Sequence, residues 1–134
     1  MDRRLKAGVH DVETARKHYS AMRNLIINQR GGSRDERTLE KLRDLSRKAA
    51  AAIDDSDCKR LLSAVDCYSA DLFSESGHLK WARTEMRGAH FLRLQILREL
   101  DAFHARLLEL QLEATRHAVA GLADSLRAGR RSAG

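Results

Sequence analysis

Leu100-Asp101-Ala102-Phe103-His104-Ala105-Arg106-Leu107-Leu108-Glu109-Leu110-Gln111-Leu112-Glu113-Ala114 places apolar residues at 100, 103, 107, 110 and 114, in steps of three and four. Those steps bring the side chains round to one side of an α-helix, so the stretch reads as an amphipathic helix with a seam-like face. A second row, Leu94, Leu97, His104, Leu108 and Leu112, flanks the first. The combined width suits a helix buried by more than one neighbour.

Working outward, from His78 to Ala128 only Gly88 and Gly121 interrupt good helix formers. One helix of about 50 residues, about 75 Å long, is therefore expected. Val119, Leu122 and Leu126 extend an apolar face almost to its end. After Gly129 the stretch Arg130-Arg131-Ser132-Ala133-Gly134 is expected to fray.

The remaining chain supports the same class. It has 134 residues and no proline, where average usage near 5% would supply about seven. Val12, Ala15, Tyr19, Met22 and Ile26 predict a helix from Asp11 to Arg30, with Asp11 as N-cap and Gly31-Gly32 as the stop. Ser33-Arg34-Asp35-Glu36 fits a capping box opening the next helix, whose stripe is Leu39, Leu42, Leu45, Ala49 and Ile53. The stripe resumes out of phase at Cys58, Leu61, Val65, Tyr68 and Leu72. Residues 54–57 are thus either a short break or a kink in a continuous helix. Ser74-Glu75-Ser76-Gly77 reads as a loop.

The expected fold is an all-α antiparallel bundle of three to four helices, forming a single domain over residues 1–134. Its C-terminal helix is the longest and partly coiled-coil in character. Residues 1–10 and 129–134 are expected to be flexible basic tails.

Helix length bears on association. The first helix spans about 30 Å, and a break near Asp55 would halve the hairpin formed by the next segment. About half of the last helix would then have no partner within the chain, and its apolar face would need another subunit. A two-fold homodimer is the simplest solution. The residues expected to carry interaction are Leu100, Phe103, Leu107, Leu110, Val119, Leu122 and Leu126. The first four are favoured as internal core and the last three as intermolecular contact.

No stretch approaches the roughly 20 apolar residues of a membrane span, and the basic start lacks the apolar run of a signal peptide. Cys58 and Cys67 would lie about 13 Å apart along one helix, beyond the 7 Å or so that a disulfide spans, so both are expected as reduced thiols. A cytoplasmic location follows as the simplest expectation. The formal charge is +6, but residues 1–10 and 129–134 carry +2 each, so the rest is close to neutral. Weak, non-specific nucleic-acid contact through the tails is compatible with that distribution. Tyr19, Tyr68, Phe73, Phe91 and Phe103 fall mostly on apolar stripes, leaving Trp81 as the one candidate stacking platform.

Phosphate-binding glycine loops, zinc-protease and nucleophile-elbow motifs are missing, so no cofactor is expected and the reading leans against an enzyme. Two patterns carry alternatives. Asp101-Ala102-Phe103-His104 has the carboxylate-x-x-His spacing of bundle metal sites, with Asp101 and His104 as ligands; Glu75 and His78 share that spacing but straddle the expected loop. Arg83-Thr84-Glu85-Met86-Arg87-Gly88-Ala89-His90 resembles the Arg-x(4–6)-His element of HEPN-type ribonucleases, which are helical bundles acting at a dimer interface. That resemblance, over eight residues, implies RNA binding or cleavage with Arg83 stabilising phosphorane-like charge and His90 moving protons. Thr84 stands where that family usually places Asn or another polar partner. The leading expectation is a non-enzymatic adaptor, chaperone-like or regulatory subunit acting on itself and an unidentified protein partner.

Overall fold

Four helices, with no strand, make up the described part of the chain. The computed structural model describes residues 11–28, 35–73 and 85–133. The helices are α1 (Val12–Asn28), α2 (Glu36–Ala52), α3 (Ser56–Phe73) and α4 (Glu85–Ala133). Each packs on its neighbours in a ring, α1 on α2, α2 on α3, α3 on α4 and α4 back on α1.

Three helix starts share one chemical device. The Asp11 carboxylate accepts from the Thr14 backbone N–H and hydroxyl at 3.0 and 2.6 Å. Asp35 does the same for Thr38 at 3.1 and 2.7 Å, and Asp55 accepts from the Cys58 N–H at 3.0 Å. Each aspartate satisfies an N–H that the first helical turn leaves unpaired. The cap of α2 is therefore Asp35 and not the expected Ser33, which lies outside the described residues. Glu36 becomes the first helical residue, two positions short of the third helical position that a capping-box partner of Asp35 occupies.

These starts also tie the bundle ends together. The Asp11 N–H donates to the Ala52 carbonyl at 3.0 Å, and the Asp35 N–H to the Phe73 carbonyl at 2.9 Å. Each start thus sits beside the finish of a neighbouring helix, as alternating up and down directions require. Between α2 and α3 the chain breaks at Ile53–Asp55, resolving the two sequence alternatives in favour of the break. Ile53 is extended and fully buried, so the out-of-phase step from one stripe to the next is absorbed by a residue that still packs in the core.

Ala15, Met22 and Ile26 from α1, Leu39, Leu42 and Ala49 from α2, and Leu61, Val65 and Leu72 from α3 fill that core. From α4 the core takes Leu92, Ile96, Leu100, Phe103, Leu107 and Leu110. Phe91, expected on an apolar stripe, is instead about half exposed. Cys58 is buried and Cys67 exposed, and both are free thiols. No helix among the described residues is long and apolar enough to cross a membrane.

Candidate functional site

α1, α2 and α3 have 17, 17 and 18 residues, against 49 in α4. At 1.5 Å per residue the short helices reach about 26 Å and α4 about 73 Å. The mismatch falls at the C-terminal side. Every residue from Gln111 to Gly129 is exposed except Ala123, which is partly covered. Gly121 and Gly129 have nothing within 4 Å of where a Cβ would sit. Residues 111–133 thus form an arm projecting about 34 Å beyond the bundle.

The arm is not a bare extension of the core seam. Continued in three- and four-residue steps, the core row of Leu100, Phe103, Leu107 and Leu110 leads to Ala114, His117 and Gly121, all exposed. Ala114 closes the row in the sequence pattern, yet it is exposed. The apolar residues instead follow the flanking row: Leu108, Leu112, Val119, Leu122 and Leu126 are 40%, 56%, 62%, 63% and 60% exposed. With Thr115 they form an unbroken 4-3-4-3-4 series, roughly a third of a turn from the core face at 100° per residue. Leu94, Leu108 and Leu112 were expected to be covered by a second neighbour, and they are not.

Upstream, the same row runs through His104 and Asp101, and there α1 covers it. The Tyr19 ring stacks on His104 with centroids 4.5 Å apart and planes 9° from parallel. The Tyr19 hydroxyl donates to Asp101 Oδ1 at 2.9 Å, and Arg23 Nε donates to the same oxygen at 3.3 Å. Partial burial and the Asp101 carboxylate push the Tyr19 phenol above its ordinary pKa, since both disfavour the phenolate. Asp101 and His104, the alternative metal pair, are thus engaged with α1. Among the described residues no three His, Cys, Asp or Glu side chains are grouped to hold a metal ion.

At the foot of the arm stands a polar lock. Arg106 Nε and Nη2 donate to Asp55 Oδ2 and Oδ1 at 3.1 and 2.9 Å, a two-pronged pairing, while Nη1 donates to Glu109 Oε2 at 3.0 Å. Asp57 and Glu113 stand within 4 Å of the same guanidinium. The Arg106 hydrogen bonds, with help from the Cys58 N–H, hold the Asp55 carboxyl far below its usual 3.8. The same bonds raise the Arg106 guanidinium, while burial and the adjoining Asp55 push the Cys58 thiol up to about 12. That thiol stays protonated and unreactive at neutral pH. Asp55 therefore does two jobs, capping α3 and gripping α4 where the arm departs.

The sequence-derived residues sort cleanly. Leu100, Phe103, Leu107 and Leu110 are buried within the chain and closed to a partner, whereas Val119, Leu122 and Leu126 face outward on the arm. His90 is exposed. Arg83 and Trp81, with Glu75 and His78, lie outside the described residues. Sequence reasoning missed the Arg106–Asp55 lock. Its only local signal is the Asp-x-x-Cys cap spacing at Asp55, because the two partners lie 51 positions apart. A shallow furrow of about 320 Å³ between α1 and α2, lined by Ala21, Leu25, Lys41, Asp44 and Leu45, brings no group of catalytic side chains together. No protein-family model matches the sequence, and no curated protein or solved structure shows significant similarity to it.

Proposed function

We propose that this chain is a non-enzymatic helical interaction protein whose working surface is the arm of α4. The observation that carries this reading is the continuous row Leu108, Leu112, Thr115, Val119, Leu122 and Leu126, exposed along a helix that no other described element supports. Single exposed leucines are ordinary on protein surfaces. A contiguous apolar strip at heptad spacing is the form in which a helix recognises another helix. The Arg106–Asp55 lock fixes where the arm leaves the bundle, so the strip is presented in a set direction and loses less freedom on docking. The bundle acts as mount and the arm as handle, as in a small adaptor or regulatory subunit.

The test uses the triple variant Val119→Ser, Leu122→Ser, Leu126→Ser in dilute solution. Thermal unfolding of the bundle is expected to keep its midpoint, while binding of an apolar fluorescent dye by the dilute wild-type protein is lost in the variant. A midpoint falling by ten degrees or so, as core truncations of this size cause in small domains, would show the strip to be covered within the chain and overturn the proposal.

A further inference from the structure

We infer that the arm is covered by the arm of a second copy of this chain, lying antiparallel, with the two-fold axis crossing α4 between Ala120 and Gly121. This inference rests on the reading of the arm as a docking face and adds to it a partner, a direction and a register.

Direction follows from what already lies on the row. His104 and Asp101 continue the arm's apolar row into the bundle, and α1 occupies it there through Tyr19 and Arg23. Any helix seated on the arm therefore lies in line with α1. In a parallel pair each copy would bring its own α1 into the gap between the two α4 helices. Packed helix axes stand only 8–10 Å apart, about the diameter of one helix, so that gap cannot hold even one. An antiparallel copy brings only the end of its own arm towards α1.

Register follows from where α1 begins. Val12 is seven residues before Tyr19, about 10 Å, which sets the start of α1 level with about residue 111 of α4. The last turn of the partner arm must lie near that level. Among antiparallel registers that keep the row facing itself, one covers the row from Leu112 to Leu126 while passing the start of α1 by only about one turn. It sets Val119 against Leu122 of the partner subunit, Thr115 against the partner's Leu126, and Leu112 over the partner's Gly129. The next register inward would drive about 15 Å of partner helix into α1.

Charge agrees independently. The foot of the arm is acidic, with Asp57, Glu109 and Glu113 beside the Arg106–Asp55 pair. The last ten helical residues, 124–133, carry three arginines against one aspartate. Antiparallel pairing lays each basic tip on an acidic foot, and in this register Glu109 and the partner's Arg130 take facing positions that flank the apolar seam, once on each side of the axis. Parallel pairing would set three arginines on three.

The experiment uses the full chain with exposed Cys67 replaced by Ser and a spin label on Ala128→Cys or Ala120→Cys, alongside sedimentation equilibrium. A dimer is expected, with sites at 128 about 25 Å apart and sites at 120 about 10–15 Å apart. Glu109→Arg and Arg130→Glu should each weaken the dimer about tenfold, two symmetric contacts being lost, and the double variant should restore it. Circular dichroism confirms that each variant is folded. A dimer with the 128 sites as close as the 120 sites overturns the antiparallel arrangement. A monomer at about 100 µM overturns the second copy as occupant, while the unfolding test of the docking face stands or falls separately. A monomer whose strip binds dye only after residues 1–10 are removed assigns the face to that segment and overturns both.

Discussion

The two halves of α4 are built from the same residues and do opposite things. Around Leu100–Leu110 the helix buries Leu100, Phe103 and Leu107 completely, while twelve or more residues later Leu122 and Leu126 are about 60% exposed. Both halves show apolar residues in three- and four-residue steps, both mix arginine with acidic residues, and both are continuous helix. The difference lies in what stands beside them. In the first half α1 and α3 supply walls; in the second they have ended. The pattern also changes rows at Leu108–Leu112, so the exposed strip continues the side that α1 covers and not the side that faces the core. Apolar periodicity is thus a statement about which side of a helix seeks contact, and helix length decides whether the contact is internal.

The sharpest way to break this contrast is to truncate one leucine in each half. Leu107→Ala removes a fully buried side chain and is expected to cost about 2–5 kcal/mol in chemical denaturation. Leu122→Ala, the same chemical change on the arm, should move the bundle transition by less than about 0.5 kcal/mol in dilute solution. Equal losses at the two positions would abolish the distinction between mount and handle.

A smaller effect is expected at the boundary. Arg106→Ala strips Asp55 of its main partner and should cost about 2 kcal/mol. Asp55→Asn keeps a residue able to cap α3 but loses the charge, and should cost about half as much. The sign of the pH dependence follows from the depressed Asp55 pKa. The stabilisation is present in full above the ordinary carboxylate value of 3.8 and is lost as pH falls towards the lower folded value. Unfolding measured between pH 5 and 2 should therefore fall more steeply for the wild type than for Asp55→Asn.

The mildest change sharpens the comparison within the arm. Gly121→Ala meets nothing within 4 Å of the added methyl and replaces a poor helix former. It should stabilise the arm locally by about 0.5–1 kcal/mol, seen as slower amide exchange over residues 111–133, with the bundle amides unchanged. Loss of arm protection would mean that glycine serves a close approach there.

Much of the architecture was legible in particular residues. The periodic stripes of α1, α2 and α3 predicted which side of each would be buried. The phase slip between Ile53 and Cys58 marked the break while leaving a kink as the alternative. The long proline-free run predicted a helix that outreaches its neighbours if that break occurs, and the exposure of residues 111–129 follows from it. Gly129 was read as the end of α4, yet the helix continues to Ala133, because one glycine among arginine and alanine costs only about 1 kcal/mol. The exposed strip was legible in half: Val119, Leu122 and Leu126 were singled out, whereas Leu108 and Leu112 were assigned to burial by the same periodicity that serves both.

The sequence by itself determined that this chain is helical, that Asp11 caps its first helix, and that two adjacent rows of α4 are apolar. These are local matters, set by backbone hydrogen bonding and by side-chain spacing within one or two turns. Only the tertiary structure decided which row of α4 faces the core, that α1 lies along the other row and ends at Val12, level with about residue 111, and that Arg106 closes on Asp55. Each of those depends on where helices far apart in the chain end relative to one another. That length comparison leaves no trace in any single stretch of residues, and it turns the last 34 Å or so of α4 from core into surface.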